Sequence, residues 1–344
     1  MNKSLIIQEQ GQDAYDFISN YMDVQSNETE VLKTINVFNI KKIEPPKKGI
    51  VNLNKINDIK DNNLFFTEVY SKLVSDGIFI GCVETKEERR RRIYKKYPII
   101  IAQTYYFFDF IFKRVFSKLF FTKWFYFFIT AGRNQTLSKA EALGRVAYSG
   151  FEMLEDKEIN NLLYFVARKI NDFEPRPLPR FSLLFKMQRI GKNNKPITVF
   201  KIRTMHPYAE YLQDYLYKTN NLQKGGKFSN DYRITSWGRI FRKLWIDELP
   251  MVYNLLKGEI KLVGVRPLSE QYLNLYTDEL KALRKEVRPG LIPPFYADLP
   301  ETLDDIITSE IKYIKAYQQH PFKTDVSYFY KAVCNILFKK VRSN

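Results

Sequence analysis

An aspartate and a glutamate stand side by side, Asp247 and Glu248, inside the otherwise apolar and basic stretch "FRKLWIDELPMVYNLLKGEIKLVGVRP", Phe241 to Pro267. Arg242, Lys243, Lys257, Lys261 and Arg266 surround them within it; Arg189, Lys192, Lys201, Arg203, Arg233, Arg239 and Arg288 lie on either side. Such a set suits chemistry on a diphosphate. Guanidinium forks match phosphate oxygens and stabilise charge that grows on a departing phosphate. One carboxylate can attack phosphorus and split a transfer into two steps. A second can hold a divalent cation that bridges phosphates. Consecutive residues of an α-helix point about 100° apart, so the two carboxylates suit different tasks better than one shared task. Taken alone, the pair is better explained as a solvated helix start bridged to Arg242 or Lys243, since surface acid–base neighbours are common and mostly inert. "GGK" at Gly225 to Lys227 lacks the spacing of a Walker loop and reads as a turn.

The rest of the chain must position these groups. Its 344 residues suffice for two domains, and 45% hydrophobic content supports buried cores. A formal charge of +17 calls for an anionic partner: nucleic acid, a phosphorylated small molecule or an acidic membrane surface. Aromatic residues, 15% of the chain, cluster with lysine and arginine, which fits either a membrane interface or stacking on single-stranded nucleic acid. Two cysteines, Cys82 and Cys334, and two histidines, His206 and His320, exclude a disulfide framework and a thiolate or histidine-rich metal site. The N-terminal "MNKSLIIQEQGQDAYDF" has no signal-peptide core, so the bulk of the protein is expected to face the cytoplasm.

The fold class expected is mixed α/β. Residues 1–172 read as an α/β domain: "EVLKTINVFNI" as a strand, the helical spacing of Leu64, Phe65, Val69 and Leu73, then the strand "DGIFIGCVE". Residues 98–130 are the most apolar segment, yet Asp109, Lys113, Arg114, Lys118 and Lys123 interrupt it. Five charges spread so evenly are hard to hide in a core, so the segment reads as helices lying in a membrane interface rather than spanning it. Ser138 is a helix N-cap, Gly150 ends that helix, and two strands follow. Pro175, Pro177 and Pro179 make 173–180 a linker, and 181–344 is the second domain. There "KMQRIGKNNKPITVFKIRTM" reads as two strands around a turn at Gly191 to Lys195. A helix after His206 ends at Gly225–Gly226. "VRPGLIPPFYADLP" is irregular, and the tail forms two amphipathic helices.

Three segments stand in order: "FKMQRIGKNNKPITVFKIRTM", "DYRITSWGRIFRKLWIDELPMVYNLLKGEIKLVGVRP" and "VRPGL". Together, from about Phe185 to Pro294, they resemble the catalytic domain of bacterial sugar transferases, the monotopic polyprenyl-phosphate phosphoglycosyl transferases. The resemblance covers about a third of the chain. It implies that Asp247 attacks the sugar phosphate of a UDP-sugar and releases UMP. Polyprenyl (undecaprenyl) phosphate then takes the phosphosugar from the aspartate, starting exopolysaccharide, capsule or other glycan-lipid synthesis. Glu248 would help bind Mg²⁺. Arg266 matches the family's "PRP" arginine and Lys201 a basic residue near the active site. Arg203, Arg233, Arg239, Arg242 and Arg288 complete the expected phosphate-binding set, with bracing of the fold an alternative role for Arg233, Arg239 and Arg288. The partners implied are a UDP-sugar, polyprenyl phosphate and the cytoplasmic face of the cell membrane, with homodimerisation allowed and no nucleic acid.

Departures from the family pattern are visible. No apolar helix broken at a Ser-Pro precedes the first strand of the domain, "GVRP" replaces "GPRP", and "RPGLIPPFYADLP" replaces "RPGLTG". The N-terminal part resembles the later strands and helices of class I methyltransferases without their glycine-rich cofactor loop, which implies a truncated, non-catalytic relative with 98–130 as an insertion. The reading from another class is a basic scaffold or nucleic-acid-binding protein with an inactive catalytic segment, which the charge alone permits.

Overall fold

The computed structural model describes residues 2–179, 181–219, 222–223, 227–228 and 231–338. It is mixed α/β and divides into two compact units, Met1–Pro179 with His206–Asn220, and Arg180–Met205 with Asn221–Asn344. His206–Asn220 thus belongs to the first unit rather than to a continuous domain over 181–344.

The first unit opens with helices α1 (Asn2–Gln10) and α2 (Gln12–Ser19). Strand β1 (Thr29–Leu32) is followed by a short helix, α3 (Val37–Lys41), so "EVLKTINVFNI" is half strand and half helix: the Asn36 side chain caps Phe38 N at 3.0 Å and turns the chain. Strand β2 (Lys47–Lys55), helix α4 (Asn62–Ser71) and strand β3 (Leu73–Val83) come next. β1, β2 and β3 run parallel, with Val31 opposite Val51 and Ile50 opposite Phe79. Helices α5 (Lys86–Lys96), α6 (Ile99–Phe110), α7 (Phe120–Thr130) and α8 (Lys139–Tyr148) intervene before the hairpin of β4 (Phe151–Ile159) and β5 (Leu162–Lys169). β5 pairs antiparallel with both β3 and β4, giving the order β1-β2-β3-β5-β4. Leu163 to Ala167 are buried without a break, as expected of an inner strand covered on both faces. Ser138 caps α8, accepting Glu141 N at 3.2 Å, and Gly150 closes it at φ +97°.

Two of the charges of 98–130 are not left on the surface. Asp109 and Arg114 are buried and ion-paired inside the first unit, which corrects the argument that these charges cannot be hidden. A short 3₁₀ turn, Ala209–Leu212, and helix α9 (Gln213–Thr219) return to this unit. There Tyr208 OH accepts from Asn63 Nδ2 at 2.6 Å, and Tyr215 OH donates to Asp156 at 2.8 Å. The expected end of that helix, Gly225–Gly226, lies outside the described residues. Among the described residues, no helix is long and apolar enough to cross a membrane.

The second unit begins with the hairpin β6 (Leu184–Ile190) and β7 (Pro196–Ile202), Lys186 opposite Phe200. Asn193 and Asn194, both at φ +56°, make its turn. Two-residue strands β8 (Leu222–Gln223) and β9 (Lys227–Phe228) precede helix α10 (Ser236–Lys243), a 3₁₀ turn Ile246–Met251 and helix α11 (Val252–Leu256). Strand β10 (Lys261–Val263), helices α12 (Glu270–Leu273) and α13 (Asp278–Glu286), strand β11 (Gly290–Ile292) and helix α14 (Phe295–Asp298) follow. "VRPGLIPPFYADLP" is therefore not irregular throughout, because β11 pairs parallel with β10, Lys261 opposite Gly290. A Cβ on Gly290 would lie 2.1 Å from Gly264 N, so only glycine permits that approach. Helices α15 (Leu303–Gln319) and α16 (Pro321–Phe338) form the tail, and Tyr313, Ile314 and Tyr328 pack it onto Val263, Leu280 and Val287.

Candidate active site

Three elements of the second unit converge on the acidic pair: β7, α10 and the 3₁₀ turn. Thr204, just past β7, fixes the start of α10. Its carbonyl accepts both Thr235 N at 2.9 Å and Thr235 Oγ1 at 3.0 Å, while Thr235 Oγ1 accepts Gly238 N at 2.9 Å as N-cap. A Cβ on Gly238 would stand 2.2 Å from the Thr204 carbonyl oxygen, so α10 can approach only through a glycine. Beyond α10, Trp245 takes a left-handed conformation at φ 55°, which for a bulky residue costs about 1–2 kcal/mol. Its ring meets Tyr296 at 5.2 Å. This kink stops α10 and starts the tighter 3₁₀ turn that carries Asp247 and Glu248. At three residues per turn they diverge by about 120° rather than the 100° of an α-helix. On the far side, the Asn254 amide donates to Thr198 O at 2.7 Å and ties α11 to β7.

The divergence gives the two acids different surroundings. Glu248 lies on the wall of a cavity of about 430 Å³, with Lys201 Nζ 2.5 Å from its Oε1. Asp247 is buried and is not on that wall. Its Oδ1 is enclosed without a hydrogen-bond partner. Burial and the neighbouring Glu248 carboxylate raise its proton affinity above that of an ordinary aspartate, against the opposing pull of Lys201 and Arg242. A buried, unsatisfied carboxylate of this kind is costly to keep, and such groups gather at sites of chemistry.

The expected cations fall into separate groups. Lys201 and Arg266 face the cavity together with Arg189, a residue that the motifs did not single out as a site residue. Burial and the nearby Arg266 charge lower the proton affinity of Arg189, as two cations aimed at one space require. Arg242 stands beside Asp247, its Nε donating to Thr204 Oγ1 at 2.9 Å. Arg233 is buried in a two-point pair with Asp231, at 2.9 and 2.8 Å. Arg203 lies over the rings of Phe181 and Phe185, at 5.2 and 4.8 Å. Arg239 and Arg288 are exposed and do not line the cavity. Tyr272, Tyr276, Tyr296 and Glu310 also line the cavity. Glu310 is buried against Arg284, and burial raises its proton affinity despite that partner. These aromatic and acidic wall residues had no signal in the sequence, because the helices that bring them lie 20 to 60 residues downstream of the pair.

Among the described residues no three histidine, cysteine or acidic side chains converge as a ready-made metal cage. Glu248, on the cavity wall, is a hard oxygen ligand of the kind that holds Mg²⁺ through one or two carboxylates together with substrate phosphates.

Residues 176–339 match the family model for bacterial sugar transferases. This part of the chain is similar to the bacterial sugar transferases. Within it, the chain is 42% identical over 109 residues to the uncharacterized sugar transferase EpsL of Bacillus subtilis, covering 32% of this chain and 48% of that protein. It is 34% identical over 113 residues to a UDP-N-acetylgalactosamine-undecaprenyl-phosphate N-acetylgalactosaminephosphotransferase of Aeromonas hydrophila, 32% of this chain and 24% of that one. To the UDP-glucose:undecaprenyl-phosphate glucose-1-phosphate transferase of Caulobacter vibrioides it is 36% identical over 132 residues, 38% of this chain and 44% of that one. The chain thus spans less than half the length of each of these relatives. The matched residues contain the cavity, the acidic pair and the cations of this site.

Proposed function

We propose that the sugar transferase domain moves a sugar 1-phosphate from a UDP-sugar to polyprenyl (undecaprenyl) phosphate at the cytoplasmic face of the cell membrane, beginning exopolysaccharide, capsule or other glycan-lipid synthesis. One observation carries the reading: a buried aspartate with an unsatisfied oxygen stands beside a Glu248–Lys201 pair on a cavity that presents Arg189 and Arg266.

In the first step an Asp247 oxygen forms a bond to the sugar-bearing phosphorus, and the bond from that phosphorus to the UMP oxygen breaks. UMP leaves with the electron pair. In the second step an oxygen of polyprenyl phosphate attacks the same phosphorus, the bond to Asp247 breaks, and the carboxylate returns unchanged. Arg189, Arg266 and Lys201 hold the diphosphate and meet the charge that develops on UMP. Glu248 would hold Mg²⁺, which when bound would neutralise charge on the donor diphosphate. The Glu248–Lys201 contact keeps both groups on the wall before substrate arrives.

Names of the relatives support a nucleotide-sugar donor and an undecaprenyl-phosphate acceptor. The first unit is read as a non-catalytic, methyltransferase-like support. Its three parallel strands flanked by an antiparallel hairpin agree with that reading. Incubating the protein with a panel of UDP-sugars and no lipid acceptor tests the mechanism. Intact-protein and peptide mass spectrometry should find a phosphosugar adduct on the peptide carrying Asp247, one UMP released per adduct, and loss of the adduct when undecaprenyl phosphate is added. UMP release that requires the lipid, with no adduct at any time, would replace the two-step reaction by direct transfer.

A further inference from the structure

Helices α6 and α7 of the first unit are built inside out. Asp109, on α6, takes a fork from Arg89 at 2.6 and 2.9 Å and a contact from Lys113 at 2.9 Å. Arg114 donates to Thr136 O at 2.8 Å and, with Lys118, pairs with Glu141 of α8. Three of the segment's five charges are thus paired with α5 and α8 of their own unit, and a fourth, Lys113, with Asp109 beside it. What they leave outward is apolar: Ile100 is 75% exposed, Phe108 64%, Phe121 90%, Trp124 74% and Phe128 75%. Trp124 and Phe128 stack on each other at 5.7 Å on that face. Each large apolar side chain left in water forgoes about 1.5–3 kcal/mol of burial. A patch of this size marks an interaction surface.

Charge selects the occupant. The rim carries Arg90, Lys95, Lys96 and Lys123, all exposed, with Arg90 and Lys96 lying over the Tyr94 and Tyr97 rings at 5.1 and 5.3 Å. Aromatic rings with exposed cations beside them match the headgroup layer of an anionic bilayer, where rings sit at the interface and each cation near the surface adds about 1 kcal/mol. Neither helix is long enough to cross. We infer that α6 and α7 lie in the surface of an anionic membrane, apolar face down, and that the buried ion pairs to Arg89 and Glu141 hold them in that orientation. The surface stands on exposure and charge; the expectation that the membrane also contains the acceptor rests on the transferase reading.

The test is co-sedimentation of the full chain with vesicles of phosphatidylcholine, with and without phosphatidylglycerol. Wild type should bind, and bind more tightly with the anionic lipid. The variant F121E/W124E/F128E should lose vesicle binding at least tenfold, with unchanged circular dichroism and unchanged UMP release to a short-chain, water-soluble polyprenyl phosphate. K95E/K96E should lose the phosphatidylglycerol preference alone. Vesicle binding that survives in the triple variant would overturn the inference. So would wild type that stays in the supernatant, or a triple variant that turns a dimer into a monomer while still sedimenting with vesicles. Vesicle binding without UMP release from any donor would instead count against the transferase reading and leave the docking surface standing.

Discussion

The two units each bury a carboxylate among cations, and the two arrangements end differently. Glu141 is fully buried and meets Arg114, Lys118 and Arg145, the last at 3.1 Å, while its own backbone N–H is capped by Ser138. Burial pushes its carboxyl up, yet the three cations outweigh burial and hold it well below the usual carboxylate range. Asp247 is about as buried but has one oxygen with no partner, and Glu248 beside it adds repulsion, so its proton affinity rises. A satisfied buried acid is architecture. An unsatisfied one next to a cavity is poised to bond to something that arrives.

The widest contrast comes from removing each charge. Asp247→Asn should lower sugar-phosphate transfer by roughly 10⁴-fold, about 5.5 kcal/mol of barrier, with the urea midpoint unchanged or raised. Glu141→Gln should leave the second unit's chemistry intact in whatever protein stays folded. Urea unfolding should show the first unit losing about 3–5 kcal/mol, because three cations are left without their partner. A transfer defect in Glu141→Gln at full stability would erase the distinction.

A smaller effect separates the roles within the pair. Glu248→Gln should lower the rate by about 10²–10³-fold and raise the Mg²⁺ requirement. It should also move the acid limb of the pH–rate profile downward, since the like charge that raises Asp247 has gone. An acid limb that stays in place would show that burial alone sets Asp247.

Acid stability provides the finest test. His206 is buried, and burial, then Lys86 and Arg114, push its proton affinity down to about 3. The unfolded chain takes up that proton near pH 6.5 and the folded chain does not, so between about 6.5 and 3 each pH unit costs up to about 1.4 kcal/mol. Glu141 adds to this below its ordinary titration range, where the unfolded state binds a proton that the folded state refuses. His206→Gln should flatten the upper part of this acid slope in thermal melts and make the lower part shallower, leaving there only the share of Glu141.

What the sequence made legible was local. The hairpin turn at Gly191 to Lys195 and the Ser138 cap depend on neighbours in the chain, and both stand where turn and cap chemistry put them. The acidic pair and Lys201 were legible as a motif. Arg189 was visible only as one cation among many, because its place on the cavity wall follows from the β6–β7 pairing and the approach of Arg266 from some 77 residues on. The charges of 98–130 misled for the same reason: their partners Arg89 and Glu141 sit outside the segment, and a count of charges cannot see an ion pair. Strand β11 was hidden in a proline-rich run because its existence depends on β10, whose contact is made across two glycines.

The Thr204 carbonyl oxygen works as a datum point. Lys201 lies three residues before it on one arm, and the helix leading to Asp247 and Glu248 hangs from it on the other. Both sides of the Lys201–Glu248 contact are therefore referred to one atom, and the Asn254–Thr198 bond on the far side is the second tie that holds them in step. The cavity walls can vary with α10 left in place. Even one methyl group at Gly238, by contrast, would detune lysine and acids together.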